Sequence, residues 1–163
     1  MNAKAHCIKI NLTDQSLSTF LDNKVLKTYS ISSALKGSGQ LKGSEQTPLG
    51  AHYIRAHIGE NNPLNTVYIG RRPTGEIYNQ ALANSQPNRD WILTRILWLC
   101  GTQSGKNRLS NVDSMARYIY IHGTPDSEPM GVPKSHGCIR MSNKNIEELF
   151  TWAPHYCPVF INE

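Results

Sequence analysis

A thiol, two imidazoles and three glycines lie within 17 residues, from His122 to Cys138. The segment begins His122-Gly123 and, after a spacer rich in Pro, Asp, Glu and Gly, ends Ser135-His136-Gly137-Cys138-Ile139-Arg140-Met141. A cysteine with an ordinary pKa near 8.5 is only about a few per cent thiolate at pH 7. One adjacent imidazolium contributes roughly 2 kcal/mol, enough to bring that pKa to about 7. The residue types therefore predict a cysteine nucleophile that a histidine activates.

His122 is the better placed of the two histidines to act as a base. His136 is two positions from Cys138 and competes for the same turn, whereas His122 comes from a separate strand, whose rigid end fixes the hydrogen-bond distance. The Gly123 carbonyl can hold one ring nitrogen of His122 and set its tautomer. Gly137 leaves the backbone uncovered beside the thiol, so the amides of Gly137 and Cys138 can face a developing oxyanion.

Two other interpretations of these residues are open. His136 and Cys138 can be packed core residues, although the flanking Gly, Ser and Arg argue against it. A zinc site would use His122, His136 and Cys138, but these three positions lack the spacing of known zinc ligand sets. The sequence therefore predicts neither a metal nor a cofactor.

The elements that must position these residues are mostly short strands. Apolar and polar residues alternate along the first third of the chain, and Asp14-Gln15 and Asp22-Asn23 mark tight turns. The strands predicted in this way cover residues 7–12, 17–21, 25–31, 51–57, 66–69, 91–100, 118–121 and 158–161. In the strand predicted at 118–121, which runs on into His122, the period of two places Tyr118, Tyr120 and His122 on one face.

One helix is predicted near the end of the chain. Ser142 or Asn143 can cap it, its apolar face repeats at i, i+3 and i+4 from Ile146, and Pro154 ends it. Many short strands with one or two short helices favour a mainly β fold, a sandwich or barrel. Two long loops are candidates for a lid because of their length, residues 32–47 and 59–90.

Length and composition limit the functional class. The 163 residues fit a single domain, 1–163, with a net charge of 17 − 12 = +5. Lys and Arg are scattered, which argues against a nucleic-acid partner and suits a small anionic ligand. The apolar run Ile96 to Cys100 is too short to span a bilayer, and Met1 to Asp14 lacks the apolar stretch of a signal peptide. We therefore expect a cytoplasmic protein with no membrane partner, of unknown oligomeric state.

The other cysteines and the basic side chains have more than one possible role. The cysteines at positions 7, 100 and 157 lie in apolar contexts, so we expect buried thiols and no disulfide framework. Arg95 interrupts a buried strand and either pairs with Asp113 or Glu76 or clamps a substrate carboxylate. The basic side chains that can bind a terminal carboxylate are Arg71, Arg72, Arg95, Arg108 and Lys134.

The motif resembles the signature of the YkuD-type L,D-transpeptidases, cysteine enzymes of bacterial peptidoglycan. Outside the motif, Gln46 to Gly50 is similar to the family's Thr-Pro-x-Gly turn and Tyr29 to Ser32 to the strand before it. Residues 143–161 are similar to the closing helix and strand. The likeness covers residues 6–162, and it implies a bare catalytic domain with a β-sandwich-like fold.

The resemblance also implies a role for each residue of the motif. It implies Cys138 as the nucleophile, His122 as the base, Gly123 as the group that orients this base, His136 as support for the site, and the Gly137 and Cys138 amides as the oxyanion hole. Arg140 would hold a substrate carboxylate or brace the loop through an ion pair. Further candidate substrate-binding residues are Ser135, Arg95, Arg108 and Tyr120.

The resemblance leaves two outcomes for the acyl-enzyme. An amine makes a cross-link or exchanges a D-amino acid, whereas water trims the terminal D-alanine. Residues 107–120 are similar to signal-less members, which look like L,D-carboxypeptidases of peptidoglycan recycling. We therefore expect a cytoplasmic cysteine L,D-carboxypeptidase that releases D-alanine from muropeptide tetrapeptides. The alternatives are an L,D-transpeptidase acting on stem peptides and, from another class, a binding module that kept the fold and lost activity.

Overall fold

The computed structural model describes residues 5–163. The first four residues of the expected domain 1–163, and of the segment considered as a signal peptide, lie outside the described residues. The strands are β1 (His6–Asn11), β2 (Ser16–Leu21), β3 (Lys24–Ser30), β4 (Gly50–Ile58), β5 (Thr66–Ile69), β6 (Arg72–Ile77), β7 (Ile92–Gly101), β8 (Tyr120–Gly123), β9 (Ile139–Met141) and β10 (Pro158–Asn162). The α-helices are α1 (Gln80–Ser85) and α2 (Asn143–Trp152), and a 3-10 turn covers Ser110–Val112.

The strands form one mixed sheet in the order β3-β2-β1-β10-β4-β7-β5-β6, with β8 and β9 branching from β7. Leu93 of β7 pairs with Val67 of β5 and also with Gly123 of β8, so these two strands lie on opposite edges of β7. β8 then pairs in parallel with β9. The ten-residue β7 is therefore the element that brings β8 and β9, and the residues next to them, into the sheet.

The core lies between the sheet and α2, as the apolar patterns predict. Alternate residues of β1 and β10 are fully buried, β7 is buried along most of its length, and Ile146 and Leu149 of α2 pack in the same core. The Ser142 hydroxyl accepts a hydrogen bond from the Asn145 amide at 3.4 Å and caps the helix, and Pro154 follows its last turn. The mainly β fold with two short helices, the capped helix and the buried strand at β7 are confirmed.

Four elements lie where the sequence was read as loop or left unassigned. β6 contains Pro73 and Gly75 and is almost fully exposed, so it has no alternation to detect. α1 has six residues and is capped by the Asn79 side chain, which accepts from the Leu82 amide at 2.9 Å. β9 has three residues and the 3-10 turn also three. Elements this short carry too few residues for a periodic pattern.

The predicted strand 118–121 begins later than expected, at Tyr120. The chain turns at Tyr118, whose φ is +57° and whose amide donates to the Met115 carbonyl at 3.0 Å. The Tyr118 side chain is exposed, whereas those of Tyr120 and His122 are buried in β8. None of the helices within residues 5–163 is long and apolar enough to cross a membrane.

Candidate active site

Cys138 stands directly before β9, and the backbone of the segment leading into β8 holds its thiol. The Sγ atom donates to the Tyr118 carbonyl at 3.4 Å and accepts from the Tyr120 amide at 3.4 Å. The thiol is partly accessible. Two backbone contacts from residues on either side of Ile119 thus fix the direction in which the sulfur points.

His122 lies in β8 on the same face as the thiol. Its register partner in β9 is Arg140, and because side chains alternate along an extended chain, Cys138 two positions earlier shares that face. The Nδ1 atom of His122 lies 2.7 Å from the Gly123 carbonyl. A carbonyl only accepts, so Nδ1 carries the proton and Nε2 keeps the lone pair that a base needs. The predicted contact between His122 and Gly123 is therefore present.

Gly123 is where two strands and a helix approach most closely. An added Cβ would lie 2.6 Å from the Leu93 carbonyl oxygen and 2.8 Å from the Asn143 side-chain oxygen. The neighbouring β7 bulges between Leu93 and Ile96, and Thr94 there has a φ of +71°. The Thr94 hydroxyl donates to Asn143 at the start of α2. Only glycine fits here, so β8, the bulge and α2 together set the position of the His122 acceptor.

Burial holds both groups of the pair in their neutral forms. It lowers the pKa of His122 to about 4, with the Gly123 carbonyl and Asp90 acting in the opposite direction. Burial also raises the pKa of the Cys138 thiol to about 11, although the Tyr120 amide, Arg140 and Arg117 oppose this. Both shifts run against the expectation that an imidazolium lowers the pKa of the thiol to about 7. They favour a neutral thiol and a neutral imidazole.

His136 and Arg140 share one carboxylate. Asp90, in the loop before β7, accepts from Arg140 Nη2 at 2.8 Å and lies 3.3 Å from His136 Nδ1. The Arg140 guanidinium is nearly buried and also contacts the Lys134 carbonyl at 3.4 Å. Of the two roles considered for Arg140, the structure contains the ion pair that braces the loop.

The loop before Cys138 is held by Ser135. Its hydroxyl donates to the Cys138 carbonyl at 2.6 Å and accepts from the Gly137 amide at 3.2 Å. Ser135 is buried, so its expected contact with substrate is corrected to a structural one. The Cys138 amide has no acceptor in the described part of the chain, whereas the Gly137 amide must leave Ser135 before it can bind an oxyanion.

Three other predicted substrate-binding residues have different outcomes. Arg95 pairs with Glu147 at 3.0 Å and lies over the Phe150 ring, so both predicted partners, Asp113 and Glu76, are wrong. The Arg95 side chain faces α2 and not the thiol, so its expected role in binding substrate is corrected to an ion pair with the helix. Arg108 is exposed beside Asp113, and no contact joins it to the thiol in residues 5–163. Tyr120 does reach the site, because its amide contacts Cys138.

The segment 32–47, predicted as a possible lid, is fixed against the site. Arg117 donates to the carbonyls of Gly39 and Gln40 at 3.1 and 3.0 Å and to that of Gln46 at 2.6 Å. The buried Thr47 hydroxyl donates to the Gly137 carbonyl at 3.0 Å. The sequence analysis missed this role of Arg117 because its partners are backbone carbonyls of a distant loop, which leave no pattern in the sequence.

Two cavities meet at the exposed His136 ring. One, of about 260 Å³, lies between Asp90, Lys134 and Arg140. The other, of about 230 Å³, lies between Lys42, Tyr118 and the same histidine. Both cavities thus lie next to the loop that leads to Cys138, and neither is lined by Cys138 itself.

Thiol and metal chemistry were also considered for the remaining residues. All four cysteines have free thiols, and those at 100 and 157 are buried while the one at 7 is half-buried. Within residues 5–163 no group of three or more His, Cys, Asp and Glu side chains is arranged to hold a metal ion.

Comparison with known proteins gives one family. The sequence model of the YkuD L,D-transpeptidase catalytic domain matches residues 5–161. No curated protein sequence matches the chain. Among solved structures, an L,D-transpeptidase from Mycobacterium smegmatis superposes with a TM-score of 0.58 at 18% identity, over 99% of this chain and 60% of the other.

Two further structures give the same result. L,D-transpeptidase 3 from Mycobacterium tuberculosis with a faropenem-derived adduct has a TM-score of 0.59 at 15% identity, over 99% of this chain and 61% of the other. An Enterococcus faecium L,D-transpeptidase with a cysteine-to-serine substitution has a TM-score of 0.58 at 17% identity, over 97% and 50%. The chain thus spans half to about three fifths of these structures, and likeness at such identities shows the fold.

Proposed function

Because the chain belongs to the YkuD family of L,D-transpeptidase catalytic domains, we propose that it forms a Cys138 acyl-enzyme on a peptidoglycan stem peptide and that water resolves it. The observation that carries the proposal is the pairing of β8 with β9, which brings Cys138, directly before β9, to the strand that carries His122, whose tautomer Gly123 fixes. On this proposal the protein is an L,D-carboxypeptidase that releases the terminal D-alanine of a tetrapeptide.

The proposed reaction has two stages, formation of the acyl-enzyme and its hydrolysis, and each stage involves two proton transfers. His122 Nε2 takes the thiol proton while the sulfur attacks the carbonyl carbon of the diamino acid's L-centre, and the same nitrogen gives this proton to the departing D-alanine amine. Water then attacks the thioester, losing a proton to His122, and the thiol is restored. A neutral imidazole is the form that this role needs, which agrees with the low pKa of His122.

The Cys138 amide is proposed as the main oxyanion donor, since its N–H has no acceptor in the described residues. The Gly137 amide would join it once released from Ser135. His136 and Asp90 would support the loop from the solvent side.

We further propose that the substrate is a recycled muropeptide in the cytoplasm. The four free thiols fit a reducing compartment. The segment 107–120, which resembles the signal-less carboxypeptidases, forms one wall of the thiol environment through Tyr118 and Tyr120. Fractionation of cells that express the untagged protein tests this placement, and recovery only outside the cytoplasm would contradict it.

The activity is tested by mass spectrometry of the protein incubated with a disaccharide tetrapeptide, with and without excess D-methionine. We expect loss of one alanine in both cases, and no loss with Cys138→Ala, because the only proposed nucleophile is absent. Cys100→Ala is the matched control, since that thiol is buried elsewhere in β7. Wild-type rates with Cys138→Ala would overturn the proposal.

The same experiment distinguishes transpeptidation. Replacement of the terminal residue by D-methionine, or a cross-linked product, would mean that an amine outcompetes water at the thioester. The carboxypeptidase assignment would then be wrong while the acyl-enzyme would stand.

A further inference from the structure

Arg71 lies in a cluster that shares its residues with the thiol environment. Its Nη1 atom donates to the Tyr120 hydroxyl at 2.9 Å, and its guanidinium lies 4.5 Å from the Trp98 ring centre and 5.0 Å from that of Tyr118. The backbones of Tyr118 and Tyr120 are the same groups that hold the Cys138 sulfur. Tyr118 and Tyr120 therefore contact the Cys138 sulfur through their backbones and Arg71 through their side chains.

The charge of Arg71 is not matched by an acid. Within residues 5–163 no carboxylate lies within ion-pair distance of it, whereas Arg89, Arg95 and Arg140 each have one. One of its five N–H donors is used, by Tyr120. The Tyr120 hydroxyl accepts that bond and keeps its own hydrogen, for which no acceptor is present in the described chain. Four N–H donors of the guanidinium and the hydrogen of the Tyr120 hydroxyl therefore have no partner in the described residues, and both groups are ones that bind carboxylates.

The backbone at Arg71 is also unusual. Gly70 and Arg71 form the two-residue turn between β5 and β6, with φ values of +55° and +66°. Such a turn favours Gly or Asn at both positions, so an arginine there is unfavourable for folding alone. The stacking of its side chain on Trp98 and Tyr118 opposes this cost and holds the guanidinium beside Tyr120.

We propose that Arg71, with the Tyr120 hydroxyl, binds the terminal carboxylate of the peptide whose D-residue is removed. This proposal rests on the proposed function and narrows it to substrates with a free C-terminus. The terminal carboxylate belongs to the amino acid directly after the scissile carbonyl, so the group that binds it must lie close to the thiol. Tyr120 connects the two places, because its amide contacts the Cys138 sulfur and its hydroxyl contacts Arg71. The other basic candidates lie elsewhere. Arg72 is exposed at the start of β6, Arg95 faces α2, Arg108 lies near Asp113, and Lys134 lies near Asp90 and Glu128.

The first test needs no turnover. Alkylation of Cys138 by N-iodoacetyl-D-alanine is compared with alkylation by its C-terminal amide, using peptide mass spectrometry to read each cysteine. In the wild type, Cys138 should react faster with the acid than with the amide. Arg71→Asn should lower the ratio of these two rates about tenfold or more. Asparagine tolerates the left-handed backbone, so the turn is kept. Arg72→Asn, at an exposed neighbouring position, is the matched control, and the half-buried Cys7 is the internal one.

An unchanged ratio in Arg71→Asn, or an equal fall in Arg72→Asn, would overturn the proposal. Arg71→Lys should keep part of the preference, because it retains the charge but loses the planar fork. The second test uses a tetrapeptide and its C-terminal amide, for which Arg71→Asn should raise KM for the acid alone. If the wild type releases no D-alanine while the alkylation ratio still depends on Arg71, the proposed function fails and the anion site stands.

Discussion

Burial shifts the pKa values of Cys138 and His122 in the directions that favour their neutral forms. On the proposed mechanism the proton therefore moves as the sulfur attacks, instead of being transferred beforehand to give an ion pair. The surrounding backbone orients both side chains. The Gly123 carbonyl binds one nitrogen of the His122 ring, and the backbone of Tyr118 and Tyr120 contacts the Cys138 sulfur.

The pH dependence of catalysis follows from the low pKa of His122. Since the base must be neutral, kcat/KM for D-alanine release should stay level from neutral pH down to about pH 5 and fall with an apparent pKa near 4. Circular dichroism at each pH checks that the protein stays folded over the measured range. An acidic limb near pH 6.5, the ordinary value for histidine, would contradict the assignment.

Single residues were predictable where their chemistry is local in sequence. The motif from His122 to Cys138 identifies the thiol, both histidines and the glycines, because they stand close together in the chain. Arg95 and Arg140 could not be assigned, because their partners Glu147 and Asp90 are 52 and 50 positions away. Ion pairs of this kind depend on how strands and helices meet.

At the scale of elements, the junction of β7, β8 and α2 determines the position of His122. The bulge at Thr94 turns the Leu93 carbonyl toward Gly123, and Asn143 joins the bulge to the loop after β8 by donating to the Thr124 carbonyl at 3.0 Å. A small shift of β8 here moves the carbonyl that orients His122.

Gly123→Ala tests that junction. The new methyl group meets a backbone oxygen at 2.6 Å, so we expect the free energy of unfolding to fall by about 2 kcal/mol and kcat by about 100-fold. Urea unfolding and steady-state kinetics measure the two effects. Gly43→Ala, where the Cβ meets nothing within 4 Å, should cost only about 1 kcal/mol of backbone strain. Equal behaviour of the two variants would argue against a steric role.

Arg117 is expected to anchor the segment 36–47. Lysine keeps the positive charge but cannot reach the Gly39, Gln40 and Gln46 carbonyls together, so Arg117→Lys should speed amide hydrogen exchange across this segment by about tenfold and lower kcat. Hydrogen exchange followed by mass spectrometry measures it, with Arg72→Lys as the control. Unaltered exchange in Arg117→Lys would mean that the Thr47 contacts suffice.

Among the elements, the sequence predicted those with enough residues to show a period. β1 to β5, β7, β10 and α2 are found within a few residues of their predicted bounds, and β8 covers Tyr120–Gly123 where residues 118–121 were predicted. β6 and α1 lie in the segment 59–90, which was predicted as mostly loop, because Asn, Pro, Gly and Arg dominate its composition. Exposed pairing between short strands is set by their neighbours and not by an apolar pattern.

Across the whole molecule, buried histidines link stability to pH. His52 donates from Nδ1 to the Gly50 carbonyl at 3.0 Å and accepts from the Ser114 hydroxyl at 2.8 Å, and burial lowers its pKa to about 4. Burial acts in the same direction on His57 and His122. The interior therefore resists protonation at separate places on the sheet.

This predicts loss of stability in mild acid. The unfolded chain binds protons near pH 6.5 and the folded chain only near 4, so stability is full above about pH 6.5 and falls as the pH drops toward 4. At pH 5 the loss is about 2 kcal/mol each for His52 and His122. Urea unfolding from pH 5 to 7.5 measures the free energy of unfolding, whose slope against pH near pH 5 should correspond to the uptake of at least about two protons on unfolding. His52→Gln should lower this uptake by about one proton. A free energy that does not change with pH would contradict the prediction.

The place of β10 between β1 and β4 has a consequence for how the protein is made. The strands on both sides of it emerge from the ribosome long before Pro158–Asn162, so the nascent chain carries two strand edges that have no partner until synthesis reaches β10. Unpaired edges invite association between copies, and pairing across such a long stretch of chain is slow. Cooperative folding therefore waits for the final strand, and trimming those five residues would divide the sheet at its centre.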